Sequence, residues 1–197
     1  GDLHLGGART ALFNYLFAKS MKGKFLLRIE DTDLKRSDNS LSKKILDDLK
    51  WLNLPWDEQV VYQRNKHVQH RQIIDQLLDS GFAFRCFTRK ENITKRIKDH
   101  SDKRDSVFRS PWRDSSANEL PSGEYVVRFR IPSEPSKLYF NDRIRGALSW
   151  DLSSIEDFVI ARSDYNPTYN LAVVVDDHNM NISHVIRGED HLTNTVK

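Results

Sequence analysis

Apolar residues recur at helical spacing directly after the pair Gly6-Gly7, and this spacing predicts a first helix over 8–18. Phe13 and Phe17 widen the apolar stripe of this helix beyond one face. A stripe of that width is typical of a helix surrounded by other elements. We therefore expect the first helix to be buried on most sides.

The same pattern predicts further helices and strands. Helical spacing indicates a second helix over about 41–52 and a third over about 68–78, which ends at Gly81. Short apolar runs are typical of buried strands, above all in parallel sheets. Such runs cover 24–29, 158–161 and 183–186, and another apolar stretch covers 171–175.

The pattern changes between residues 82 and 157. Short strands are predicted here over 82–87, 125–131, 137–140 and 144–150. Along the second of these, Arg128 and Arg130 alternate with apolar residues and are expected on the opposite face. The segment 95–105 carries charges at most positions, which indicates a solvated helix face or a loop. We predict an α/β domain interrupted by an antiparallel insertion.

Composition narrows the class of protein. The 197 residues suffice for one to two domains, and 38% hydrophobic with 30% charged residues argues against a disordered or membrane chain. No apolar stretch is long enough for a membrane span, and no signal peptide opens the chain. The net charge of +3 permits nucleic-acid binding without requiring it. Cys86, the single cysteine, excludes an internal disulfide and an all-cysteine zinc site, and we expect it to be a small structural hydrophobe.

The first candidate site is His4 with Gly6 and Gly7 before the first helix. Glycines let a phosphate chain approach the backbone, and a helix N-terminus offers unpaired N–H groups and a positive dipole end. The histidine adds a donor beside such an anion. A plain turn with an incidental histidine explains the same residues.

Carboxylates form two further candidates. Glu30, Asp31 and Asp33 follow a predicted buried strand, where open α/β sheets bind ligands, although they also suit helix capping. Asp176 and Asp177 stand beside His178, with His184 six residues on, so that metal ligation and simple turn capping are both open. No complete set of metal ligands is evident, which favours capping.

Several long runs of the chain resemble the catalytic half of bacterial-type glutamyl-tRNA synthetases, a family of class I aminoacyl-tRNA synthetases. The resemblance spans nearly the whole chain and is weakest between 87 and 123. The matching runs are Gly1–Asn14, Leu27–Asp33, Lys50–Leu52, Pro167–His178 and His184–His191. Because the chain opens without methionine, we expect it to be a piece of a longer protein, without the family's first strand and lysine signature loop.

The resemblance implies roles for particular residues. His4, Gly6 and Gly7 would form the catalytic ATP signature, with Gly7 in place of its last histidine. Glu30 would bind the α-amino group of glutamate, and Arg187 its side-chain carboxylate. The remaining implied contacts are Tyr169 lining the glutamate pocket, Asp190 and His191 near ATP, and Thr32, Asp33 and Arg36 at the tRNA acceptor end.

The resemblance also implies an architecture and a set of partners. A split Rossmann-like parallel sheet would span 1–81 and 158–197, and an inserted mixed or antiparallel α+β connective-peptide domain at 82–157 would bind the acceptor stem. ATP with Mg²⁺, L-glutamate and tRNA-Glu would be the partners of a monomeric cytoplasmic enzyme, or an organellar one if a targeting segment precedes Gly1. Some family members bind zinc through cysteines of the insertion. Here Cys86 lacks such companions, so we predict no zinc and no other resident metal.

Three other functions remain open at this stage. One is a shortened paralogue that attaches glutamate to a modified base in the anticodon loop of tRNA-Asp. Another is a non-catalytic tRNA-binding fragment, although such a fragment has no use for the amino-acid pocket formed by Glu30, Tyr169 and Arg187. The last is a metal-dependent hydrolase that uses the aspartates and histidines near residue 178.

Overall fold

The computed structural model describes residues 3–31, 39–89, 91–92 and 107–197. The charged segment predicted at 95–105 lies outside these residues. The α-helices are α1 (Leu5–Ser20), α2 (Asn39–Trp51), α3 (His67–Asp79), α4 (Tyr169–Asn179) and α5 (Leu192–Val196). The strands are β1 (Arg28–Ile29), β2 (Val61–Tyr62), β3 (Ala83–Cys86), β4 (Val126–Phe129), β5 (Lys137–Asp142), β6 (Gly146–Asp151) and β7 (Val159–Ala161).

The strands form three small sheets. β1 and β2 pair in parallel, β3, β4 and β7 form an antiparallel sheet in that order, and β5 with β6 forms an antiparallel hairpin. The chain is thus of the α/β class, as its pattern predicts. By its contacts it divides into a first unit, made of residues 1–68, 172–195 and 197, and a second unit, made of residues 69–171 and 196.

The first unit contains the parallel strand pair and α1 and α2. Phe25 is buried just before β1 and meets the ring of Tyr15 edge-on, with 5.6 Å between the ring centroids. Asp57 accepts the backbone N–H of Phe25 at 2.7 Å and an ion pair from Lys19 at 2.8 Å. These contacts hold the C-terminal end of α1 against the segment that leads into β1.

Several sequence predictions for single elements are confirmed. α2 and α3 lie within two residues of their predicted bounds, and Gly81 follows α3 with a φ of +75°, which favours glycine. All four strands predicted between 82 and 157 are present as β3 to β6. Helical periodicity and strict alternation of apolar residues are thus sufficient to locate these helices and strands in the sequence.

Other predictions are wrong. α1 has no buried residue, and Leu12, Phe13 and Leu16 are about half exposed. The run at 183–186 forms neither a helix nor a strand, and the stretch at 171–175, for which no element was predicted, lies in the helix α4. The run at 158–161 does contain a strand, β7, but it pairs antiparallel with β4 rather than in a parallel sheet. A short apolar run fits a helix or a strand equally well and carries no information about the direction of its partner strand.

A buried aspartate, Asp157, organises the second unit. It is fully buried, forms an ion pair with Arg113, lies 3.9 Å from Arg109 and accepts the backbone N–H of Ile131 at 2.9 Å. Its own backbone carbonyl accepts a hydrogen bond from Arg128 at 2.6 Å. Arg128 and the neighbouring Val127 alternate along β4 and are both buried.

We expect Asp157→Asn to destabilise the second unit by about 3 kcal/mol, because it leaves partly buried guanidinium groups without their fully buried counter-charge. The matched control is Glu156→Gln, the preceding residue, whose carboxylate is 43% exposed and 4.0 Å from Arg128. A long pair with one exposed partner contributes less than about 1 kcal/mol. Amide hydrogen exchange of the β4 backbone in the full-length protein measures both effects, and equal costs for the two substitutions would contradict the assignment.

Candidate active site

The N-terminus of α1 is closed by the side chain of His4. Its Nδ1 accepts the backbone N–H of Gly7 at 3.2 Å, and its carbonyl accepts that of Ala8 at 2.9 Å. A neutral ring that accepts at Nδ1 carries its proton on Nε2. The exposed His4 ring therefore presents an N–H donor to the solvent beside the positive end of the helix dipole.

The two glycines lie at a different place from the one expected. Gly6 and Gly7 are inside the first turn of α1, which begins at Leu5, rather than in a turn before the helix. A Cβ at Gly6 would lie 3.2 Å from His4 Nδ1, and one at Gly7 would lie 3.2 Å from Leu3 Cδ1. Both contacts are tighter than ordinary packing, so Gly6 makes room for the cap formed by His4 and Gly7 makes room for the side chain of Leu3.

Glu30 is held by an arginine that also reaches α4. Arg28 donates from Nη2 to Glu30 Oε1 at 3.2 Å and from Nη1 to Asp177 Oδ1 at 2.6 Å. The side chain of Arg28 is only 13% exposed, whereas that of Glu30 is 42% exposed. Burial alone would lower the pKa of Arg28, but its bonds to Asp177 and then Glu30 prevail and raise the pKa above its usual value.

The carboxylate of Asp31 is bonded to other protein groups and is not available to bind a ligand. It is 3% exposed, accepts the backbone N–H of Arg64 at 2.9 Å and forms an ion pair with the Arg64 side chain at 3.1 Å. Successive residues of an extended segment point to opposite sides, which separates Asp31 from the exposed Glu30. The sequence analysis treated Glu30 and Asp31 as one group of carboxylates because Arg64, the partner of Asp31, could not be identified from the sequence.

The aspartates of α4 likewise have protein partners. Buried Asp176 accepts a hydrogen bond at 2.8 Å from the side chain of Gln63, and Asp177 binds Arg28. The ring of His184 packs against that of Phe17, with 4.8 Å between centroids. Within the described residues no three His, Cys, Asp or Glu side chains are grouped so as to hold a metal ion. The carboxylates of the hydrolase hypothesis are therefore occupied by structural bonds.

Arg187 follows a segment that is bonded to α1. Asn14 of α1 donates to the carbonyl of Ile186 at 3.4 Å, and Arg187 donates from Nη2 to Thr195 Oγ1 at 2.7 Å. The arginine is partly buried. A guanidinium that is held on one side by a neutral hydroxyl keeps its charge and its other N–H groups for an anionic ligand.

Asp190 and His191 lie in a 3-10 turn, Glu189–His191, between Gly188 and α5. Both side chains are exposed, and His191 Nε2 is 3.6 Å from Asp190 Oδ2. A Cβ at Gly188 would overlap Asp190 Oδ1, so a larger residue there would displace the aspartate side chain. This pair is accessible to a ligand.

Tyr169 and Cys86 are the remaining candidates within the described residues. Tyr169 is the first residue of α4 and is 45% exposed. Thr32, Asp33 and Arg36 lie outside the described residues. Cys86 is buried with Phe84 and Phe108 and accepts a hydrogen bond at 3.2 Å from the Ser110 hydroxyl.

The described contacts hold the predicted residues in separate groups, around His4, Glu30, Arg187 and the pair at 190–191. The sequence analysis missed Gln63, Arg64 and Thr195, which support these groups. Gln63 and Arg64 directly follow the short strand β2, which the sequence analysis also missed. Two polar residues at the end of a strand were the only signal in the sequence that could have pointed to them. No helix in the described part of the chain is both long and apolar enough to cross a membrane.

Comparison with known proteins gives consistent matches along the chain. It is 46% identical over 199 residues to a glutamate–tRNA ligase of Bradyrhizobium sp. (strain ORS 278), and 48% identical over 202 residues to glutamate–tRNA ligase 1 of Orientia tsutsugamushi (strain Boryong). Each match covers all of this chain and 41% or 42% of the relative. The chain thus spans about two fifths of the length of these curated relatives.

A solved structure matches as well. The crystal structure of a glutamate tRNA ligase from Elizabethkingia meningosepticum CCUG26117, in complex with its amino acid, superposes with a TM-score of 0.84 at 33% identity. The match covers 99% of this chain and 43% of that one. The family model for the catalytic domain of class I tRNA synthetases (E and Q) matches residues 1–197. The chain therefore belongs to the catalytic-domain family of the class I tRNA synthetases of the E and Q type.

Proposed function

We propose that the protein containing this chain is a glutamate–tRNA ligase. It activates L-glutamate with ATP to glutamyl-adenylate and transfers the glutamate to the 3′ end of tRNA-Glu. The observation that carries the proposal is the similarity of the whole chain, at 46% and 48% identity, to two proteins named as such ligases. Because the chain spans two fifths of their length, we expect the 197 residues alone to be inactive.

The glutamate pocket is proposed to use Arg187, Glu30 and Tyr169. Arg187 would bind the side-chain carboxylate through the N–H groups that Thr195 does not use. An amide in that place forms weaker bonds and leaves the guanidinium under-compensated, which favours glutamate over glutamine. The exposed carboxylate of Glu30 would bind the α-amino group, and Tyr169 would line the pocket.

ATP is proposed to bind at the N-terminus of α1. The N–H groups of the first helical turn and the Nε2–H of His4 would face the phosphates, and Gly6 and Gly7 keep that turn open. Asp190 and His191 would complete the ATP contacts. Mg²⁺ would arrive with ATP, since it is commonly held by substrate phosphates with one or two carboxylates. Attack on the α-phosphorus then depends on position and charge stabilisation.

The tRNA is proposed to contact the segment after β1 and the inserted part of the chain. Thr32, Asp33 and Arg36 would lie at the acceptor end, and the connective-peptide domain would be 82–157 between catalytic halves at 1–81 and 158–197. The second unit found by contacts, residues 69–171, is larger than this insertion. We further propose a monomeric cytoplasmic enzyme without zinc.

The deciding experiment is ATP–pyrophosphate exchange that depends on glutamate, with tRNA present, on the full-length protein. Charging of tRNA that lacks its 3′-terminal adenosine separates the candidate reactions. A ligase needs the hydroxyls of that nucleotide and fails on the shortened tRNA, whereas the paralogue that modifies an anticodon base does not use them. A non-catalytic tRNA-binding protein gives no exchange with either tRNA.

Arg187→Ala should lower kcat/KM for glutamate by about 100-fold or more, because it removes a charged, paired contact to the substrate. Thr195→Val is the matched control, since it removes one neutral hydrogen bond and should cost only about 5-fold. Exchange kinetics at varied glutamate concentration measure both. Charging by Arg187→Ala at a rate near that of the unaltered protein would show that the pocket is elsewhere.

His4→Asn should lower the rate of adenylate formation by about 100-fold while α1 stays intact. Asparagine is a good N-cap, so the substitution keeps the helix and removes the Nε2–H donor from the phosphates. Single-turnover formation of adenylate, with circular dichroism as the control for helix content, tests this. An unchanged rate would mean that His4 serves only as a cap.

A further inference from the structure

Arg28 bridges two carboxylates from different elements at the end of β1. Its Nη1 donates to Asp177 on α4 at 2.6 Å, and its Nη2 donates to Glu30 at 3.2 Å. We propose that Arg28 is a positioning residue, which holds the Glu30 carboxylate at the place where the α-amino group of the substrate binds. This inference rests on the proposed function, because it takes glutamate as the substrate.

The burial of the three side chains indicates which carboxylate anchors Arg28 and which one Arg28 positions. The side chains of Arg28, Asp177 and Glu30 are 13%, 29% and 42% exposed. The shorter bond is the one to Asp177, which belongs to a helix and is less exposed than Glu30. Asp177 is thus the anchor, and the more exposed Glu30 is the group whose position is set.

The charges of the same three groups suit a cationic ligand. One guanidinium between two carboxylates leaves a net charge of −1 at a partly buried place. An α-ammonium group would neutralise that charge, and the attraction is stronger there than in open water. Without Arg28 two carboxylates would face one cation, and without Asp177 the guanidinium would cancel the charge of Glu30.

Arginine is needed for this geometry. Its two terminal nitrogens lie in a rigid plane and reach the two carboxylates at the same time. The single ammonium of lysine forms a compact point charge that cannot reproduce the fork. Arg28→Lys therefore keeps the charge and removes the geometry, which separates positioning from simple charge balance.

The test compares L-glutamate with glutarate, which lacks only the α-amino group. In the full-length protein, Arg28→Lys should raise KM for L-glutamate by about 10-fold, because a misplaced contact group loses most of its effect. The inhibition constant of glutarate and KM for ATP should change less than about 2-fold, since neither ligand contacts Glu30. Asp177→Asn should act in the same direction by about 3-fold.

The matched control is Lys19→Met, which breaks the ion pair with Asp57 elsewhere in the first unit and should change none of these constants. Equal weakening of L-glutamate and glutarate by Arg28→Lys would assign Arg28 a structural role only and overturn the proposal. If Arg28→Lys does not fold, Asp177→Asn decides by the same comparison of the two ligands. Absence of glutamate-dependent exchange in the unaltered protein would instead refute the proposed function, and the inference with it.

Discussion

Within each unit, ion pairs that involve buried or partly buried side chains connect elements that are distant along the chain. In the first unit, Arg28 joins the end of β1 to α4, and Arg64 joins Asp31 to the residues after β2. In the second unit, Asp157 interacts with Arg109 and Arg113, which lie more than 40 residues before it in the chain. A buried charge without its partner costs several kcal/mol, so each of these pairs constrains where its elements can lie. Apolar packing alone would leave the small two-stranded sheets free to shift in register.

The sequence predicted those features that depend on local periodicity. α2 and α3 were found because their apolar residues repeat every three to four positions, and β3 to β6 because turns separate short alternating runs. α4 was not identified as a helix, since Leu171–Val175 is rich in valine, which favours strands when no periodicity is evident. The burial of α1 was misjudged because a wide apolar stripe says nothing about which elements cover it.

The candidate site shows the same division. The candidates at positions 4 and 30 were identified from their residue types and neighbours, and the resemblance then implied roles for them and for position 187. The partners of these residues were not identified. Gln63 pairs with Asp176 and Arg64 pairs with Asp31, in both cases across more than 30 residues of the chain. Thr195 is only eight residues from its partner Arg187. No sequence pattern indicates any of these three pairs. Which carboxylate stays exposed is decided by such partners. Asp31 and Glu30 are neighbours in the chain and have opposite surroundings for this reason.

The cap of α1 ties helix order to the orientation of one ring. His4 accepts the N–H of Gly7 at Nδ1, so the helix uses the lone pair of that nitrogen. The other ring nitrogen, which carries the N–H, is left for an anion at the positive end of the helix dipole. The order of the first turn of α1 and the direction of this donor are therefore fixed together, and a rotation of the ring that disturbs one disturbs the other.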